Sequence, residues 1–133
     1  MHIIRLRGPW QIVALEAESD ETTTAAVTAV VPGDWAAALG ADYHGRARLT
    51  RRFGSPTNLA PEEKVFLVVG AADCQAKVVL NGELLGEQDS STGECRYDIT
   101  RLLRPRNELR ITLASRPDQP GKIGEVRLEI DDA

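Results

Sequence analysis

Lys77-Val78-Val79-Leu80-Asn81-Gly82-Glu83-Leu84-Leu85-Gly86 reads as a strand, a tight turn and a returning strand. Lys77 and Val79 alternate with Ala76, Val78 and Leu80, the period of a half-buried strand. Asn and Gly tolerate positive φ, so Asn81-Gly82 favours the two-residue turn whose twist matches a β-hairpin. Leu84 and Leu85 resume the apolar run. A hairpin of this kind points to an antiparallel β-protein.

The flanking chain reads in the same period. Ile3 to Leu15 is extended, with a break at Gly8-Pro9, and Ala26 to Val31 is a second apolar stretch closed by Pro32-Gly33. Ala47, Leu49 and Phe53 alternate with Arg46, Arg48 and Arg52, and Arg51 interrupts the apolar side. Val65-Phe66-Leu67-Val68-Val69 is apolar throughout, as expected of a central strand covered on both faces. Leu109, Ile111 and Leu113, and later Val126, Leu128 and Ile130, give the cleanest inside-outside alternation. These residues, with Leu80, are expected in the core. Helical signals are confined to Asp34 to Gly40, with Asp34 as cap and Gly40 as stop, and to the turn Thr100 to Pro105. About eight short strands separated by turn residues predict an all-β fold, a two-sheet antiparallel sandwich of jelly-roll type, over a single domain, residues 1–133.

Bulk properties narrow the function classes. At 133 residues the chain should bury ~65–70% of its unfolded surface. A net charge of −4 argues against a nucleic-acid partner. No apolar run approaches the ~20 residues of a membrane span, and the first residues lack signal-peptide character, so a cytoplasmic location is expected. Cys74 and Cys95, the only cysteines, make no metal-ligand pattern. They read as free thiols, a disulfide being the alternative.

Catalytic patterns are scarce. Asp20-Glu21, Glu62-Glu63 and Asp131-Asp132 are adjacent carboxylates, which on a strand point to opposite faces. Acid–base catalysis by a carboxylate pair needs both groups to converge on one substrate, which adjacent strand positions do not supply. With only His2 and His44, no zinc-ligand cluster arises. No cofactor is implied. Arg46, Arg48 and Arg52 form a cationic stripe, suited to anionic sugars or to a partner, or more simply a solvated sheet face neutralised by neighbouring acids. Trp10 and Trp35 are large enough to stack on a sugar, and equally suited to the core.

Several stretches resemble one known module. Leu6 to Ile12 resembles the opening strand of the N-terminal sugar-binding module of family-2 glycoside hydrolases, the group of β-galactosidases, β-glucuronidases and β-mannosidases. Val31-Pro32-Gly33-Asp34-Trp35 is similar to its Val-Pro-x-x-Trp turn, and Asp42 to Phe53 to its Tyr-x-Gly turn and Arg-x-Phe strand. Ala72 to Gly82 resembles its central hairpin. Tyr97-Asp98-Ile99-Thr100-Arg101-Leu102-Leu103, followed by Asn107-Glu108-Leu109, is similar to its Phe-Asp-Ile-Thr, two leucines and Asn-x-Leu. Gly121 to Leu128 resembles its exit strand.

The resemblance implies a galactose-binding-like jelly roll and a non-catalytic, carbohydrate-binding type of function. The family's catalytic carboxylates lie on a separate barrel domain with no counterpart in these residues. The run from Glu87 to Arg96 also lacks the aromatic residue that the module directs toward that barrel. The alternative is a structural or protein-interaction module that has lost its sugar site, a subunit of a larger glycosidase assembly. A ligand site, in either case a matter of loops at one end of the sandwich, would draw on Trp35, Asp42, Tyr43 and His44, with Arg96. Tyr43 would offer a ring face, and Asp42, His44 and Arg96 hydrogen-bond partners for hydroxyls.

Overall fold

The computed structural model describes residues 2–16, 18, 19, 21–40, 43–116 and 121–132. Its strands are β1 (His2–Arg5), β2 (Trp10–Leu15), β3 (Val27–Ala29), β4 (Gly33–Asp34), β5 (Gly45–Gly54) and β6 (Glu63–Val69). They continue with β7 (Gln75–Leu80), β8 (Glu83–Gln88), β9 (Cys95–Asp98), β10 (Arg106–Ser115), β11 (Lys122–Ile123) and β12 (Val126–Asp132). A four-stranded sheet runs β1-β12-β6-β9 and a six-stranded sheet β3-β2-β5-β10-β7-β8, while β11 pairs with β4. Every pairing is antiparallel. The chain passes repeatedly from one sheet to the other, which makes this the expected galactose-binding-like sandwich. The strands outnumber the eight read from the sequence. Two of the extra ones, β4 and β11, are two-residue pieces defined by a partner remote in sequence.

The hairpin forms as its sequence dictates. Asn81 and Gly82 take φ of 51° and 84°, and Leu80 pairs with Glu83 across them. Both central residues at positive φ is the arrangement that Asn-Gly supplies at least strain.

The core lies between the two main sheets. Ile12, Leu49, Ile111 and Val78 line up across β2, β5, β10 and β7, and all are fully buried. Leu67 and Leu128 face them from the other sheet's paired strands. Each such side chain contributes ~1.5–3 kcal/mol relative to exposure. Phe66 departs from the expected full burial of Val65 to Val69. It lies on the outer face of β6, half-buried, with the Arg96 guanidinium 3.5 Å from its ring centre.

Arg51, the break in the apolar pattern of β5, stands where the sandwich opens, and its Nε donates to the Arg7 carbonyl at 3.0 Å. The segment from Asp34 to Gly40 forms a 3-10 turn over Ala36–Ala38, with Asp34 Oδ1 accepting from the Ala37 N–H at 3.1 Å. Residues 100–105 make only a turn, closed by Leu102 N–H to the Ile99 carbonyl. Both cysteines are free thiols, Cys74 buried and Cys95 half-buried. No described helix is long and apolar enough to cross a membrane.

Candidate functional site

The expected binding residues separate into two groups. Trp35 and Tyr43 meet edge to face, ring centres 6.5 Å apart and planes at 70°. Trp35 is fully buried, so its indole belongs to the core. Its Nε1 is buried without a hydrogen-bond partner, beside the Cys74 thiol. Burial, and then the charge of Asp73, push the Cys74 thiol up to about 11, so it is protonated and inert at neutral pH.

The Tyr43 hydroxyl donates to the Arg46 carbonyl at 2.6 Å, and burial raises its pKa. This bond holds the entry to β5. Gly45, at φ 134°, lies against the Tyr43 hydroxyl, and its N–H donates to Ser115 Oγ at the end of β10. His44 is exposed beside them. Asp42 lies outside the described residues.

Arg96 is elsewhere. It sits on β9, opposite Val68, on the outer face of the four-stranded sheet. There it pairs with Glu129 at 3.1 Å and Asp131 at 3.5 Å. Arg127 joins the same ladder through Glu129 at 2.9 Å and Glu94 at 2.8 Å. Arg96 is thus part of an ionic sheet face, and the structure does not bring it to Tyr43.

Glu129 is the buried member of that ladder. Burial would raise its pKa, but hydrogen bonds from Arg127 and Arg96, with their charges, prevail and hold it below the usual value. Asp98 is held low by Thr100. A depressed folded-state pKa stabilises the fold above the unfolded value, ~4.3 for Glu and ~3.9 for Asp, and the contribution disappears as pH falls through the folded value. Urea stability should therefore drop on acidification below ~pH 4–5, and less steeply in Glu129→Gln than in the parent protein. Equal acid slopes would show that Glu129 is not the titrating group.

A polar groove begins at Arg46, three residues after Tyr43. One part, of about 370 Å³, lies on the outer face of the six-stranded sheet between Arg46, Gln75, Lys77, Glu87, Asp89 and Thr112. A second, of about 220 Å³, shares Gln75 and Asp89 and continues along Ser90, Ser91 and Arg116. Arg46 Nη1 donates to the carbonyls of Glu16 and Ser19, so Tyr43 and these loop carbonyls together fix the groove's end. Asp89 Oδ1 accepts from the Ser91 N–H and the Ser91 and Thr92 hydroxyls, which hold its carboxyl below the usual range. These groove residues come from four strands and two loops, and no local pattern in the sequence unites them. Among the described residues no cluster of three or more His, Cys, Asp or Glu is placed to hold a metal ion.

The chain belongs to the glycosyl hydrolase 2 galactose-binding domain-like family, whose sequence profile matches residues 43–125. Comparison with curated proteins by sequence finds no match. Among solved structures, β-glucuronidase from Bifidobacterium dentium aligns with a TM-score of 0.80 at 19% identity, covering 99% of this chain and 30% of that one. Faecalibacterium prausnitzii β-glucuronidase gives a TM-score of 0.80 at 18% identity, covering 98% and 31%. An FMN-binding β-glucuronidase from F. prausnitzii L2-6 is 27% identical with a TM-score of 0.72, covering 96% and 22%. The chain thus spans less than a third of these relatives. At 18–19% identity the first two likenesses are of fold.

Proposed function

We propose that residues 1–133 act as one non-catalytic module that binds carbohydrate weakly in the groove that begins at Arg46, whose carbonyl Tyr43 holds. The observation that carries this reading is the groove's lining, in a galactose-binding-like domain. Arg46, Lys77 and Gln75 donate, while Asp89, Glu87 and Thr112 accept, a mixture suited to sugar hydroxyls. No aromatic ring lines it, so affinity should be low, at dissociation constants of about 1 mM, or ~4 kcal/mol.

A glycosidase general acid needs a raised pKa, whereas Asp89 is held low by its own turn. Titration with galactose, glucuronic acid and lactose should give saturable amide NMR shifts at residues 43–46, 75–77, 87–91 and 112–116. Aryl β-galactosides and β-glucuronides should not be turned over. Shifts confined elsewhere would sink the placement. Turnover abolished by an Asp or Glu substitution in this chain would overturn the non-catalytic reading.

One observation favours a second reading, a structural or protein-interaction module. Trp35, Tyr43 and Arg96, the side chains best suited to a ligand, are all engaged within the fold. The absence of shifts with any sugar would favour a protein partner.

A further inference from the structure

We propose a second, anion-binding site at the opposite end of the six-stranded sheet, one that takes an acidic glycan. A cleft of about 870 Å³ opens there between the start of β10, the end of β5 and the Asn81-Gly82 turn. Arg52, Arg104 and Arg106 line it, and Glu108 is its one acid. Glu108 is already shared, accepting from Arg52 at 3.2 Å and Arg110 at 2.8 Å. Arg104 and Arg106 are exposed, and neither side chain has an ion pair among the described residues. An adjoining hollow adds Arg101 and one further acid, Glu83. In a chain of net charge −4, this is a local excess of guanidinium.

The cleft is held in shape. Asn107, buried at 2% exposure, accepts from the Arg104 N–H at 2.9 Å and donates to the Arg104 carbonyl at 2.8 Å. It also donates to the Phe53 carbonyl and accepts from Asn81 Nδ2, which ties the turn and β5 to the same point. Little backbone ordering is therefore left to pay on binding. Guanidinium forks match carboxylate and sulfate oxygens in bidentate pairs. Arg52 is opposite Glu108, which makes Arg106 its diagonal neighbour at ~7–8 Å. Arg104 precedes Arg106 by two residues across a bend at Pro105, so their Cα atoms are at most ~7 Å apart. Cations so spaced meet oxyanions repeated along a chain better than one small ion. Pro105, between Arg104 and Arg106, offers apolar surface to the C–H faces of sugar rings, and Phe53, packed against the core, borders the cleft. The cleft has no broad aromatic platform for nucleobases.

The test is calorimetric and NMR titration of the full chain with a galacturonic-acid oligomer, a heparin-derived oligomer, a neutral oligomer of similar length, inorganic phosphate and a single-stranded oligonucleotide. Expected are binding by at least one acidic oligomer, weakened several-fold between about 20 and 300 mM salt, and shifts at residues 52–54, 81–82 and 104–108. The galacturonic-acid arm shows whether carboxylate suffices, and the heparin arm, which carries both groups, whether sulfate adds to it. The double variant Arg104→Gln/Arg106→Gln should bind about tenfold more weakly, and Arg106→Lys should fall between the two. Arg5→Gln, on the distant β1 ladder, should leave binding unchanged. Equal affinity for the neutral oligomer, for phosphate or for the oligonucleotide would overturn the proposal, as would undiminished binding by the double variant or no binding of either acidic oligomer. Neutral sugars shifting the Tyr43 groove report on that site alone, so the two readings fail separately.

Discussion

Trp35→Ala should destabilise the protein by ~3–5 kcal/mol, the range for removing a buried indole. The side chain is fully buried, packs edge-on against Tyr43 and lies in the main hydrophobic cluster. Its deletion would also loosen the turn that Tyr43 ties to Arg46. Against a typical stability of ~5–15 kcal/mol the loss is large. Urea denaturation is the measurement, and a midpoint shift at unchanged slope is the expected form. A change below ~0.5 kcal/mol, as at ordinary surface sites, would return Trp35 to the ligand-binding surface.

The second large effect concerns Asn107. Its side chain satisfies the Arg104 N–H and carbonyl, the Phe53 carbonyl and the Asn81 amide in one buried position. Asn107→Leu keeps the approximate volume and deletes all four bonds. Each buried group left unpaired costs roughly 1–3 kcal/mol, and those nearest the cleft can recover water, so a net loss of ~3 kcal/mol is expected. The same variant should bind acidic oligomers more weakly even where it remains folded, because the backbone of Arg104 is no longer held. Stability within ~0.5 kcal/mol of the parent would show that the network is dispensable.

The sequence displayed what is local. Asn81-Gly82 declares its turn because positive φ is a property of those two residues. Leu109, Ile111 and Leu113 declare a buried face because a strand alternates whatever its neighbours are. The short turn after Asp34 was legible for the same reason, its cap lying three residues from the N–H it serves. The motif Asn107-Glu108-Leu109 was visible as a strand entry, but nothing in it showed that Asn107 binds residues 26 and 54 positions away.

The candidate sites were less legible, since they are made of side chains from separate strands. Arg96 sits at the edge of a polar run and reads as a loop residue. Its pairing with Val68, its contact with Phe66 and its bonds to Glu129 all depend on partners about 30 residues away. Arg52 reads as one of a stripe with Arg46 and Arg48. Only the register of β5 against β10 sets it beside Glu108 and Arg106, and sets Arg46 instead in the groove at the other end.

By itself, then, the sequence determined the fold class, the central hairpin, the core faces and the family resemblance. All of these rest on backbone preference and on burial, which act over a few residues at a time. Tertiary structure alone decided that Trp35 is core, that Arg96 is tied into the outer face of the four-stranded sheet, and that Arg52, Arg104 and Arg106 share a cleft. Those outcomes depend on strand register and sheet order, which are set by the simultaneous packing of remote segments.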